Sequence, residues 1–402
     1  MRYSGHDTII RENAEMRTIG VVTVGRSDFG IYLPVLERLS RTPGMRVRLF
    51  VGGMHLSPEY GLTVNEVEQS GFDIAERIEM LVSSQTQLGV ATSVGIGVSG
   101  FARAFERNRP DILLVLGDRF EMFTAVSAAA FLNIPLAHIH GGEATDGLVD
   151  NVLRHAITKM AHLHFVSHPI YAQRVIQMGE DPWRVTVSGA PALDLISSTR
   201  FMSPRDLHTF LKVTWTRRPL LVTFHPTTLE PGQAEDQTKR LVQVLENTSD
   251  PIVWTCPNAD AEGARIIKLV DKFGAAHPAR VRVIKNLGSR VYFSLMKHSS
   301  VMVGNSSSGI IEAASFALPV VNVGRRQQGR LHGANVINVE GTTEGIGVGL
   351  RRALSPVFQR SICGIKNVYG DGRAAIRITR VLKRAALGPT LLWKHFFITE
   401  GR

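Results

Sequence analysis

Short apolar runs without polar alternation recur along the chain at 18–24, 47–51, 112–116, 134–139, 164–167 and 185–187. They recur again at 220–224, 252–255, 281–284, 301–303 and 319–323. Runs of this length suit parallel strands buried on both faces. The stretches between them are mostly amphipathic; Leu33, Leu36 and Leu39, for example, fall on one helical face. The stretch after 53 reads as mostly helical, with a Gly- and Ser-rich part at 90–100. Strands alternating with helices predict parallel sheets with right-handed crossovers.

The pattern runs twice, so the expected fold class is α/β, with two Rossmann-like domains facing a cleft. At 402 residues the chain is long enough for two domains. The expected division is a frayed extension over 1–16, a first domain over 17–195, a second over 196–371, and a returning C-terminal segment over 372–402. The junction falls near Gly189-Ala190-Pro191 and residues 197–204. A basic amphipathic helix follows Asp371-Gly372 and is stopped by Gly388-Pro389. The apolar tail beyond it is expected to pack in part.

Candidate chemistry concentrates between Asp111 and Lys159. The strand at 112–116 leads into Gly117-Asp118-Arg119, and the strand at 134–139 leads into His140-Gly141-Gly142-Glu143. Asp150, Arg154 and His155 open the next helix. Ligands of open α/β sheets bind beyond the carboxyl ends of the strands. One such turn is commonly just a helix cap. Two neighbouring strands ending in acid, base and Gly-Gly favour a site holding Asp118, Arg119, His140, Glu143 and Asp150.

Composition narrows the function classes. Hydrophobic residues make up 44%, which supports packed cores and excludes a disordered chain. No apolar run is read as long enough to span a bilayer, and the polar start, with Met16 a second candidate initiator, lacks a signal-peptide core. Cys256 and Cys363 have no metal-type spacing and are expected to be buried thiols in a reducing cytoplasm. The net charge of +11 invites a nucleic-acid reading, but the basic residues are scattered. An anionic small molecule explains it more economically. Gly25-Arg26-Ser27-Asp28-Phe29-Gly30 and Gly304-Asn305-Ser306-Ser307-Ser308-Gly309 each follow a strand and open a helix, where free N–H groups suit phosphate. Neither is a P-loop or a dinucleotide fingerprint.

Taken together, GDRFEMF, HIHGGE, the run from Asp150 through RHAITKMAHLHF, the FHP turn, GNSSSGIIEA and GRRQQGR resemble the hydrolysing UDP-N-acetylglucosamine 2-epimerases. The likeness is to bacterial sialic-acid-pathway enzymes and to the epimerase half of the animal bifunctional epimerase/kinase. It implies a glycosyltransferase-B-like fold and release of free N-acetylmannosamine and UDP, with no cofactor and no metal. It implies a UDP-sugar held by Arg26 and Arg119 from the first domain, and by His225, Asn258 and Arg326 from the second. Asn305, Ser306 and Ser307 suit the phosphates, and Glu312 suits the ribose hydroxyls. His140 and Arg154 join the substrate-binding group. The expected partners are the UDP-sugar and further copies of the chain, as a homodimer or homotetramer, with no nucleic acid and no membrane.

The chemistry must remove the proton at C2, expel UDP and add water and a proton to a glycal-like intermediate. That needs an acid and a base with displaced pKa values. Asp118, Glu143 and Asp150 are the candidates, with His225 assisting UDP departure; which is acid and which base stays open. Crowding should push at least one carboxyl up, while Arg119 and Arg154 hold the others charged. His138 and His140 have metal-like spacing, but no third ligand is evident. His155, His162 and His164 read as packing or hydrogen-bonding groups. In the animal enzyme a glutamate replaces His140 and a second aspartate replaces Asn151. The rivals are a non-hydrolysing epimerase, a hydrolysing relative acting on a nucleotide-linked 2,4-diacetamido-trideoxyhexose, a glycosyltransferase, and a silent nucleotide-sugar sensor.

Overall fold

The first sheet is all parallel: β1 (Arg17–Thr23), β2 (Met45–Gly52), β3 (Ile74–Ile78), β4 (Ile112–Leu116), β5 (Leu136–Ile139), β6 (Leu163–Val166) and β7 (Val185–Val187). Its spatial order is β3-β2-β1-β4-β5-β6-β7. The second sheet comprises β8 (Leu220–Thr223), β9 (Ile252–Thr255), β10 (Val281–Ile284), β11 (Val301–Gly304), β12 (Val320–Val323) and β13 (Val336–Val339), in the order β10-β9-β8-β11-β12-β13. It too is parallel. Both are doubly wound, and each reverses direction beside its first strand, at β1/β4 and at β8/β11. This computed structural model describes residues 16–84, 86–145, 149–226, 232–256, 263–284 and 287–398. The extension expected over 1–16 therefore lies outside the described residues except for Met16.

The apolar runs become strands because both faces are covered. All five residues of β4 are buried, as are all four of β8. Two strands escaped the sequence reading. β3 is an edge strand that is half-buried and carries Glu76 and Arg77, and β13 is short with a polar Asn338. The Gly- and Ser-rich part at 90–100 lies inside one helix, Gln87–Arg107. Its Gly97 sits against Met80 and Thr124, where a Cβ would come within 2.7 Å of Met80. By length and composition this helix could cross a membrane, which corrects the expectation that no run could. Here Phe101, Ala104 and Phe105 pack into a core with Phe50 and Met122.

The C-terminal helix Ala374–Arg384 returns to the first sheet. Ala374, Ala375, Ile378 and Leu382 share a core with Tyr32, Leu36 and Leu39 of the helix Arg26–Ser40. Burying each of the larger of these side chains contributes roughly 1.5–3 kcal/mol. Asp194 accepts from the N–H groups of Ala374 and Ala375 at 2.8 and 2.9 Å, satisfying the helix start. The tail packs as expected: Leu391 is buried and Lys394 reaches Glu180 at 2.7 Å. Another core cluster is shared between the halves, joining Tyr171, Val175 and Leu193 to Met302, Ile310 and Val320. Neither cysteine forms a disulfide; Cys256 is half-buried and Cys363 is exposed, against the expectation that both are buried.

Candidate active site

Both Gly-led turns fall at the crossover points. β4 ends at Leu116, and Gly117 turns the chain so that Asp118 and Arg119 lie beyond the sheet. Asp118 pairs directly with Arg154 of the helix Val149–Met160. Arg154 is only 2% exposed, and its Nε and Nη1 find no hydrogen-bond partner among the described residues. Burial and the neighbouring Arg330 push Arg154 down to about 9, still protonated at neutral pH. Arg119 pairs with the buried Glu121 at 3.0 Å. Burial works against its charge, but Glu121, Asp28 and Asp150 outweigh that and hold the guanidinium above its ordinary range.

At the end of β5, His140 adopts φ 67°, an uncommon left-handed conformation that costs on the order of 1 kcal/mol or more. The turn is pinned from the helix Pro169–Gln177: Arg174 donates to the Gly142 carbonyl at 2.6 Å. Gly142 also has positive φ, and a Cβ there would lie 2.6 Å from the Tyr171 carbonyl. This explains the Gly-Gly. The turn presents Glu143, which is 1% exposed. One of its oxygens accepts from His140 Nδ1 at 2.6 Å and from the Ser167 hydroxyl at 2.8 Å. The other faces Arg330 Nη2 at 3.7 Å, from the second sheet. Burial pushes this carboxyl up, but His140, Arg330 and Ser167 prevail and bring it to about 2.

Glu143 is thus among the acids held charged, but by His140, Arg330 and Ser167 and not by the expected Arg119 and Arg154. Raised carboxyls are found at Glu312 and Asp28. Glu312 ends the helix Ser307–Ile311, is 8% exposed, and leaves Oε2 without a partner among the described residues. Burial pushes it up to about 7, in the field of His140, Arg330 and Glu143. Asp28 is pushed up to about 6 by burial, although the Val24 N–H and the Thr23 hydroxyl donate to it at 2.9 and 2.8 Å. His55 bonds the same Thr23 hydroxyl at 2.9 Å.

On the second sheet, Asn305 brackets the residue after Phe224. Its Oδ1 accepts from the His225 N–H at 2.7 Å and its Nδ2 donates to the His225 carbonyl at 2.8 Å. Burial, with Arg326 nearby, lowers His225 to about 3, so its imidazole is neutral. Arg326 and Gln327 both donate to the Asn305 carbonyl, at 3.0 and 2.8 Å. Ser306 caps the helix start by accepting from the Ser308 N–H at 3.3 Å, and Ser307 is the first helical residue. Arg26 is held by Glu66 at 3.1 Å and reaches Gly288, where an added Cβ would lie 3.6 Å from Nη2.

The structure thus brings together Asp118 with Arg154, Arg119 with the field of Asp150, His140 with Glu143 and Glu312, and His225 with Asn305 and Arg326. Asn258 lies outside the described residues. Sequence reasoning missed Ser167, Asp28 and Arg330. Arg330 carried a signal as the last residue of GRRQQGR, and Asp28 as part of the Gly25 to Gly30 turn; Ser167 carried none. Among the described residues no group of three His, Cys, Asp or Glu side chains is placed to hold a metal. His138 donates to the Gly117 carbonyl at 2.8 Å, and His164 pairs with Glu180 at 3.1 Å.

Two doubly wound sheets, with acidic and basic groups at one crossover and a polar Gly-led turn at the other, define a glycosyltransferase-B-like α/β enzyme. The chain belongs to the UDP-N-acetylglucosamine 2-epimerase family, whose profile matches residues 37–383. It is 38% identical over 380 residues to the hydrolysing UDP-N,N'-diacetylbacillosamine 2-epimerase of Legionella pneumophila, covering 94% of this chain and 99% of that protein. It is 36% identical over 325 residues to the hydrolysing GDP/UDP-N,N'-diacetylbacillosamine 2-epimerase of Campylobacter jejuni, covering 81% and 84%. A crystal structure of the UDP-GlcNAc 2-epimerase of Neisseria meningitidis bound to UDP-GlcNAc shares the fold, with a TM-score of 0.78 at 17% identity, over 92% of this chain and all of that one. The chain is accordingly an enzyme of the hydrolysing 2-epimerase kind.

Proposed function

We propose that this enzyme takes a UDP-linked 2,4-diacetamido-2,4,6-trideoxyhexose, inverts C2, and releases the free sugar and UDP. The observation that carries the choice of sugar is the likeness, at 38% identity over 94% of the chain, to a hydrolysing diacetylbacillosamine enzyme. A second reading, UDP-N-acetylglucosamine converted to N-acetylmannosamine and UDP, draws support from the motif resemblance and the family profile. In either case a carboxylate takes the C2 proton while the C1–O bond breaks, its electrons leaving with the diphosphate. Water then adds at C1, and a proton is delivered to the opposite face of C2.

The Asp118, Glu143 and Asp150 group handles these proton transfers. Glu143, kept ionised by hydrogen bonds from His140 and Ser167 and by the facing Arg330, fits the base. Neutral His225 fits a hydrogen-bond donor to the departing diphosphate rather than a countercharge. Ser306, Ser307, Arg326, Arg26 and Arg119 bind phosphate, Glu312 takes the ribose hydroxyls, and Asn258 completes the nucleotide contacts. His140 and Arg154 orient the sugar side. We further propose division of the chain at 195/196 and 371/372, and a homodimer or homotetramer.

NMR of the purified enzyme with each UDP-sugar separately tests this. The diacetamido sugar should give the free manno product and equimolar UDP, with kcat/KM about tenfold or more above that for UDP-N-acetylglucosamine. The reverse preference would favour the second reading. A UDP-linked manno product with no free UDP would overturn hydrolysis altogether.

A further inference from the structure

Arg330 has no role in the reading above beyond lowering Glu143, yet its surroundings are built with care. It leaves β12 on the segment Gly324 to Arg330 and stands next to Leu331. Two buried tyrosines hold Leu331 at both backbone polar groups. Its N–H donates to the Tyr171 hydroxyl at 3.0 Å, and its carbonyl accepts from the Tyr369 hydroxyl at 2.7 Å. Tyr171 is 1% exposed and Tyr369 is fully buried. Tyr171 belongs to the helix Pro169–Gln177 of the first sheet, so the clamp spans the two halves.

The Arg330 side chain links the Asn305 turn after β11 to the Glu143 turn after β5. Nη1 donates to Gln327 Oε1 at 3.3 Å, and Gln327 Nε2 donates to the Asn305 carbonyl at 2.8 Å. Nη2 faces Glu143 at 3.7 Å, and the side chain is only 11% exposed. One continuous set of contacts therefore runs from the Asn305 turn, through Gln327 and Arg330, to the Glu143 carboxylate. A guanidinium removed from water in this way is costly unless it is paired, and its orientation is fixed by planar donors.

We propose that Arg330 is a positioning residue for the reaction, carried across the cleft to pair with and orient Glu143, so that the nucleotide side of the site sets the state of the sugar side. This rests on the function proposed above. The groups facing Glu143 are His138 and His140 from β5 and its turn, Ser167 after β6, Tyr171, Tyr369 and, from the second sheet, Glu312 and Arg330. Among these, Arg330 is the guanidinium that faces the carboxylate, and His140 and Ser167 are its hydrogen-bond donors. Removing Arg330 leaves burial less opposed, so the carboxyl should rise.

The test compares wild type with Arg330→Gln, Arg330→Lys and Tyr171→Phe. Arg330→Gln should lower kcat about a hundredfold, the scale of a disabled general base. Calorimetry should show UDP affinity within about twofold of wild type, a difference too small to represent a lost ligand. The acid limb of the kcat–pH profile should move to higher pH, Arg330→Lys should recover part of the loss, and Tyr171→Phe should show a smaller shift of the same sign. NMR of carbon-13-labelled glutamate, with Glu143→Gln to assign the signal, should show the Glu143 carboxyl titrating higher in Arg330→Gln, whatever the substrate. UDP affinity falling in step with kcat would make Arg330 a nucleotide ligand and overturn the proposal. So would an unmoved acid limb, or an unmoved Glu143 titration. A wild-type enzyme inactive on both UDP-sugars counts against the function proposed above, while the carboxyl titration still decides the role of Arg330.

Discussion

Arg154, almost wholly buried on the helix Val149–Met160, directs its guanidinium at Asp118, the second residue beyond β4. The pair joins two successive crossovers of the first sheet and sets a guanidinium directly against the Asp118 carboxyl. Asp118→Asn keeps the shape but strands a buried cation. That should lower stability by about 3 kcal/mol, the scale of breaking a buried ion pair, read by urea denaturation. Turnover should fall about a hundredfold or more. Glu143→Gln should lower turnover as much. UDP affinity should largely survive in both variants, because neither side chain is assigned to the nucleotide.

The proton chemistry has its own signature. If a carboxylate removes the C2 proton and a solvent proton is returned to the other face, the product formed in deuterium oxide carries deuterium at C2. Free UDP should appear in equal amount. Mass spectrometry and proton NMR of the sugar check both. A product that retains its original C2 hydrogen would exclude the elimination route.

Most of the fold could be read from the sequence because parallel strands buried on both faces give continuous apolar runs, as at 112–116 and 220–224. β3 and β13 were missed for the opposite reason: their positions at the edges of the sheets leave room for Glu76, Arg77 and Asn338, which break the run. The acidic and basic residues near Asp118 and His140 were visible because they sit on adjacent strands within one short stretch of chain. Arg330 was not, because its partner Glu143 lies on the other sheet, nearly two hundred residues earlier, and no local pattern joins them. Which groups hold Glu143 low was hidden in part for the same reason: the expectation named Arg119 and Arg154, whereas His140, Arg330 and Ser167 do so. Sequence proximity displayed His140 beside Glu143 and hid only the partner from the other sheet.

The C-terminal tail offers a stability prediction. Glu180 is fully buried and is satisfied by Lys159 at 2.6 Å, Lys394 at 2.7 Å and His164 at 3.1 Å. Buried Arg184 donates to the carbonyls of Leu391 and Trp393 at 2.8 and 2.7 Å. Ending the chain at Gly388 removes Lys394 and both carbonyls. It should destabilise the protein by about 3 kcal/mol, read as a lower urea midpoint with a similar slope. Lys394→Met alone should cost less, because Lys159 and His164 still hold Glu180.

Glu312 sets a pH dependence whose sign can be worked out. Its carboxyl is raised from 4.5 in an open chain to about 7 in the fold. The folded state therefore binds a proton that the unfolded state has lost between these values, and stability falls as pH rises through that window. Above pH 7 the fold carries a penalty on the order of 3 kcal/mol from this group. The buried histidines act oppositely: His138 and His225, lowered to about 3, stabilise the fold above pH 6.5 and lose that contribution as pH falls. The informative quantity is thus the difference between Glu312→Gln and wild type. Relative to wild type, the variant should be more stable at pH 8 than at pH 5, by up to that amount. Ribose hydroxyls donating to Glu312 would favour its ionised form, so UDP binding at pH 6 should release a proton and weaken as pH falls. Calorimetry in buffers of different ionisation enthalpy reads the proton count directly. In Glu312→Gln the proton release should vanish and UDP affinity should drop. Unchanged affinity with the proton release intact would place the ribose elsewhere.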